Sequence, residues 1–259
     1  MNDLSSIQAR VFGYQPRQDL LSEQVILITG ANRGIGRALA IATASVGART
    51  VLMARDVRQI DALADYIVER GGQEPGVIPI DLEGASVDDY TTVANVIAER
   101  YSKVDGVVLN AGILGEMAPL ASYDPISWAR VFQVNVHSQF LLLQAVLPLM
   151  GNETLGSIVF TSSGVGRNAR AYWGAYAASK FATEGMMQTL SDELATQGRI
   201  RANAINPGRV RTQMRAAAYP AEDPLQLREP DEITDGYLFL LGPDSHDVNG
   251  MSLDAQAPR

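Results

Sequence analysis

Val25-Ile26-Leu27-Ile28-Thr29-Gly30-Ala31-Asn32-Arg33-Gly34-Ile35-Gly36 is the stretch on which the fold depends. Its first four residues are apolar whichever way they face, as a strand buried on both sides of a parallel sheet requires. The glycines that follow have the spacing G-x-x-x-G-x-G. They allow a tight turn and let the backbone approach a pyrophosphate, whose charge is met by free N–H groups at a helix start. With 23 glycines in the chain, an ordinary glycine-rich loop is the competing reading. The position between a first strand and a first helix favours nucleotide binding.

The pattern continues outward from this turn. A helix is expected from about Arg37 to Val46, stopped by Gly47 in a left-handed conformation. Thr50 to Ala54 reads as a second strand. Ile60, Leu63, Ala64, Ile67 and Val68 then mark one face of a helix ended by Gly71-Gly72. Strands follow at Val77–Ile80, Val104–Leu109, Ser157–Thr161, Arg201–Ile205 and Met251–Leu253. Between them lie helices opened by a Ser86/Asp89 capping box, by Asp124-Pro125, near Trp173, and at Pro230 through Leu241. Apolar strands alternating with amphipathic helices predict an α/β fold, a doubly wound, seven-stranded parallel sheet of Rossmann type with helices on both faces. The expected division is an N-terminal arm at 1–24, polar, patternless and extended or loose, and a single dinucleotide-binding catalytic domain at 25–259.

Composition narrows the chemistry. Of 259 residues, 46% are apolar and 19% charged, enough for a sizeable core. A net charge of -8 argues against nucleic acid or an anionic membrane as partner. Without cysteine, and with only His137 and His246, thiol chemistry, disulfides and a multi-histidine metal centre are excluded. Phe140 to Met150 is broken by Gln144 and Pro148 and is far too short to span a bilayer. The first residues lack a secretory pattern, so a cytoplasmic location is expected.

The second informative stretch is Tyr176-Ala177-Ala178-Ser179-Lys180. Nine tyrosines and two lysines, Lys103 and Lys180, give about 0.07 Tyr-x-x-x-Lys pairs by chance. On a helix both side chains share one face. A nearby ammonium lowers the pKa of a phenol toward the range general acid–base catalysis needs. A surface cation resting on an aromatic ring is the alternative.

Taken together, these motifs resemble the short-chain dehydrogenase/reductase family from about Val25 to Asp254. By that resemblance Gly30, Asn32, Arg33, Gly34, Ile35 and Gly36 hold the cofactor, and Asp81-Leu82 contacts adenine. Asn110-Ala111-Gly112 braces the sheet beside the cofactor. Pro207, Gly208, Val210 and Thr212 close over the nicotinamide, with Thr212 on its carboxamide. Asn135 helps place a water in the proton relay. Ser163, 13 residues before Tyr176, bonds the substrate oxygen, with Ser162 as its competitor. At finer grain, Tyr14 to Leu21 and Trp173 to Met187 resemble one bacterial oxidoreductase subgroup of the family.

The implied reaction is hydride transfer between a nicotinamide and a small-molecule carbonyl or alcohol. Tyr176 donates or accepts the proton, Ser163 holds the oxyanion, and Lys180 tunes the tyrosine while binding the ribose. Arg170, Trp173 and Met214 are expected at the substrate, with Tyr219 nearby. Arg167 and Arg170 can grip a carboxylate or phosphate on the substrate, or else cap their loop or contact a neighbouring subunit. NADP(H) is expected over NAD(H). Alanine ends the second strand where the family usually has its ribose-binding acid, and Arg55 and Arg33 can flank a 2′-phosphate. Asp56 could be that acid, or could cap the following helix. A non-catalytic NADP(H)-binding sensor or partner-binding protein is the alternative function. A homo-oligomer is expected through the helices near Pro125 and Trp173. The stripe Ala178, Phe181, Ala182 and Gly185 faces either a partner or the core.

Overall fold

The computed structural model describes residues 3–151 and 155–257. Seven parallel strands are ordered β3-β2-β1-β4-β5-β6-β7: β1 Val25–Thr29, β2 Arg49–Ala54, β3 Gly76–Pro79, β4 Gly106–Leu109, β5 Gly156–Thr161, β6 Ile200–Asn206 and β7 Ser252–Asp254. The helices are α1 Leu4–Phe12, α2 Gly34–Ser45, α3 Val57–Glu69, α4 Val87–Tyr101, α5 Pro125–Phe132, α6 Ser138–Val146, α7 Gly174–Ala195, α8 Gln213–Ala218 and α9 Thr234–Leu241.

Every residue of β1 is buried. Ile26 and Ile28 join the core under α1, α2 and α9, whereas Val25 and Leu27 join the core under α4, α6 and α7. That alternation is the pleat of a strand covered on both faces. β1 pairs with β2 on one side and β4 on the other. The winding reverses between β1 and β4, which opens a crevice beyond their carboxyl ends, the usual ligand position in such sheets. Among the described residues no helix is long and apolar enough to cross a membrane.

Several local expectations are met. Gly47 adopts φ +96°, Ser86 and Asp89 form the capping box of α4, and Asp124 caps α5 with Pro125 at its first position. Val104 lies outside β4 and makes an isolated bridge to Met150. The long helix expected after Pro125 is interrupted by a π-helical turn, Gln133–His137, before α6. The expected last helix begins as a 3₁₀ turn at Pro230–Ile233.

The expected arm at 1–24 is corrected by the structure. Met1 and Asn2 lie outside the described residues, but Asp3 caps α1, and Ile7, Val11, Leu20 and Leu21 are buried in the core beneath α2 and α9. Gln8 extends the sheet edge: its amide donates to Asp254 O at 2.7 Å and accepts from Asp254 N at 2.8 Å. Leu4, Ile7 and Val11 follow a helical spacing, but nine residues are too few to form a helix without the surface they pack on.

Candidate active site

Backbone geometry makes the turn after β1. Gly30 and Gly34 have φ of +66° and +54°, which glycine adopts without strain. A Cβ on Gly36 would lie 2.1 Å from Gly30 O, so that glycine lets α2 pack on the turn. Asn110 Nδ2 donates to Thr29 O at 3.0 Å, and Asn110 N and Ala111 N both donate to Thr29 Oγ1 at 3.0 Å. This brace fixes β1 against β4 at the winding reversal. The N–H groups of the first turn of α2 have no intrahelical acceptor and suit an anion.

Above the strand ends lies a cleft of about 1310 Å³, more than a single drug-sized ligand needs. Nearly all the residues expected at the cofactor line it, from Gly30 and Asn32 through Asp81 and Gly112 to Pro207 and Thr212. Gly36 does not, because it is spent on packing. Thr212 also caps α8, accepting from Arg215 N at 3.1 Å.

Arginines from the glycine turn and the end of β2 line part of the cleft. Arg33 and Arg55 line it; Arg33 Nη1 donates to Gln213 Oε1 at 2.5 Å, and Arg55 Nη1 lies 3.9 Å from Asp81 Oδ1. Asp56 accepts from Gln59 N at 3.1 Å and so caps α3. Two further cations, Arg37 and Arg70, line the cleft and lie over the ring of Tyr66 at 5.1 and 4.6 Å. Tyr66 and Arg70 are four residues apart, a signal available in the sequence. The approach of Arg37 from α2 is not. These groups and the helix start fit a phosphorylated dinucleotide.

The reactive groups gather where β5 ends against α7. Tyr176 and Lys180 are 8% and 2% exposed. Ser163 lies close enough to Tyr176 to pull its pKa down, while the competing Ser162 donates instead to Glu184 Oε1 at 2.5 Å. Lys180 Nζ donates to Thr161 O at 2.6 Å and lies 5.7 Å from the Tyr176 ring centre. Burial pushes the Tyr176 phenol up to about 12, against the pull of Ser163. Desolvation dominates, and the expected lowering by Lys180 is not among the causes of the shift. Burial also brings the Lys180 ammonium down to about 8, opposed by Glu184.

Asn135 sits in the π turn, fully buried, and does not line the cleft. Its Oδ1 accepts from Ile113 N at 2.8 Å, and its Nδ2 donates to Ile113 O at 2.9 Å and Ser179 Oγ at 3.0 Å. Its amide thus ties the segment after β4 to α7.

Trp173 and Met214 line the cleft beside Tyr176, packed with Leu114. Tyr219 lies behind Trp173, their ring centres 5.8 Å apart. Arg170 is exposed and outside the cleft lining, because the loop before α7 carries it to the surface. Arg167 turns to β7, donating to Ser252 Oγ, Asp254 Oδ1 and Leu253 O at 2.8, 2.9 and 2.6 Å. It ties its loop to β7.

The short chain dehydrogenase family model matches residues 24–223. This chain belongs to the short-chain dehydrogenase family. It is 49% identical over 246 residues to the oxidoreductase YciK of Escherichia coli strain K12, covering 95% of this chain and 97% of that protein. Two solved short-chain dehydrogenases superpose closely. One, from Shigella flexneri 2a and complexed with NADP, is 47% identical with a TM-score of 0.90, covering 93% of this chain and 100% of that one. The other, from Escherichia coli CFT073 and complexed with NADPH, is 49% identical with a TM-score of 0.91 and the same coverages. The subgroup expected from Tyr14–Leu21 and Trp173–Met187 is the one to which YciK belongs, and the chain is an oxidoreductase of this family.

Proposed function

We propose that this short-chain dehydrogenase is an NADP(H)-dependent carbonyl reductase or alcohol dehydrogenase acting on a small uncharged-or-charged carbonyl or alcohol, with Tyr176 as general acid and base. The observation that carries the reading is the grouping of Ser163, Tyr176 and Lys180 in the cleft lining, with Ser163 acting on Tyr176. The bound nicotinamide supplies or accepts the hydride. The protein's work is to hold one proton and one oxygen. With its pKa near 12, Tyr176 is protonated at neutral pH and ready to donate to a carbonyl oxygen. Ser163 holds that oxygen as charge develops on it. The Lys180 ammonium, beside Tyr176 in a dry site, stabilises the phenolate left behind and reaches the ribose.

NADP(H) rather than NAD(H) is supported by Arg33 and Arg55 in the cleft lining and by the capping role of Asp56. A purely cofactor-binding sensor has no use for a buried lysine and tyrosine whose charged forms burial disfavours. Asn135 serves the relay by fixing Ile113 and α7. The protein is read as a cytoplasmic homo-oligomer. The test is titration of both reduced cofactors, followed by NADPH oxidation with a panel of aldehydes, ketones and quinones. Tighter NADPH binding and turnover of a panel member are expected; equal or tighter NADH binding would assign the ribose to Asp56.

A further inference from the structure

Three consecutive residues at the end of β5 meet three residues one turn apart on α7. Lys180 donates to Thr161 O, Ser162 donates to Glu184, and Ser163 lies beside Tyr176 and pulls its pKa down. Tyr176, Lys180 and Glu184 follow at i, i+4 and i+8, on one helix face. The proposed reaction uses the first two and leaves Glu184 without a task. Yet Glu184 is 6% exposed, and a carboxylate that far from water is costly unless its charge is used. Its Oε1 also accepts from Ser252 Oγ at 2.7 Å and lies 3.7 Å from Arg167 Nε.

We propose that Glu184 is a positioning residue for the proton relay. It holds Ser162, and with it Ser163, in register against α7, and its negative charge one turn beyond Lys180 keeps that buried ammonium protonated. The proposal rests on the roles given above to Lys180 and Ser163.

The surroundings of Lys180 support the electrostatic half. From α7 it is faced by Tyr176 and Glu184, and from β5 by the Thr161 carbonyl. From α9 comes Tyr237, whose hydroxyl donates to Thr161 Oγ1 at 3.3 Å and whose own ionisation burial strongly opposes. Asn135, from the π turn, is neutral. Arg167 lies against Glu184 but is drawn toward Asp254, 2.9 Å from its Nη1. Glu184 is thus the charged group acting on Lys180, in the direction that favours the ammonium. The hydrogen bonds to Ser162 and Ser252 could be accepted by a neutral amide. The charge is what separates a positioning role from a packing one.

The sequence makes the test direct, because Lys103 and Lys180 are its two lysines. Lysine labelled with ¹³C at Cε in the full chain gives two resonances, and Lys103, paired with Asp105 at 3.1 Å, serves as internal reference. Neither cofactor nor substrate is needed, so failure of the oxidoreductase reading leaves this readout intact. The wild-type Lys180 midpoint is expected near 8. In Glu184→Gln it should fall by about one pH unit, about tenfold in proton affinity. Glu184→Asp, which keeps the charge, should restore most of the difference, and Lys103 should not move in either. Superimposable Lys180 titrations in wild type and Glu184→Gln overturn the proposal. If Glu184→Gln does not fold, Arg167→Met takes its place. Freed of that guanidinium, the carboxylate should act more strongly on Lys180 and raise its midpoint; no movement would overturn the proposal equally.

Discussion

Burying an ammonium costs stability, and Lys180 is 2% exposed with its ionisation lowered from 10.5 to about 8. The unfolded chain holds that proton more tightly than the folded one, so the cost is fully present below pH 8 and disappears as pH rises toward 10.5. At neutral pH it amounts to about 3 kcal/mol. Lys180→Met removes it and gives up the hydrogen bond to Thr161 O, worth about 1 kcal/mol. We predict that Lys180→Met melts above wild type at pH 7 while losing turnover, and that the difference narrows between pH 8 and pH 10.5. Melting curves across that range check it; a Lys180→Met protein less stable than wild type at pH 7 would contradict it. A second prediction concerns Arg33 and Arg55. If each adds about 1.5 kcal/mol through a charged hydrogen bond to the 2′-phosphate, NADPH is preferred on the order of a hundredfold. Each alanine variant should then weaken NADPH about tenfold and leave NADH unchanged by calorimetry. A preference that survives the double variant would contradict the assignment.

At the scale of elements, strands and capped helices were legible in the sequence because local rules determine them. The runs through β1 and β5 are apolar on both faces, and Asp56, Ser86 and Asp124 are caps by residue type and position. What spacing could not show was contact between elements. Tyr176 and Lys180 stand four apart, but nothing in that spacing pairs Ser162 with Glu184 or turns Arg167 toward β7. Arg170 shared the sequence interval of the true rim residues and still lies at the surface. α1 was missed for the same reason, since its stability comes from α9 and β7. Arg10 bonds Asp247 at 2.8 Å and lies over Phe239 at 5.0 Å, and Gln8 pairs with the Asp254 backbone. Ile7, fully buried, is its apolar anchor. Ile7→Ala should therefore cost about 2–4 kcal/mol in denaturant unfolding. A change within the range of surface substitutions would show that α1 only rests on the fold.

At the scale of the whole molecule, one open question in the sequence has an answer on α7. Phe181 is 46% exposed, and a Cβ on Gly185 would meet nothing within 4 Å, so this stripe faces outward. Phe140 on α6, over the same face of the sheet, is 51% exposed. A second copy of the chain is the expected cover, since symmetric pairing is the commonest route to a dimer. Sedimentation at micromolar concentration should show a dimer or larger species, with Phe181→Glu shifted toward monomer; a wild-type monomer would contradict this. The proposed chemistry has buried Tyr176 supply the proton in NADPH-dependent carbonyl reduction. It is tested most directly by NADPH oxidation in wild type and Tyr176→Phe over one carbonyl panel, with NADPH affinity measured for both. Turnover by wild type, loss of at least about a thousandfold in Tyr176→Phe, and matched NADPH affinities are expected. Tyr176→Phe turning over at the wild-type rate would contradict it.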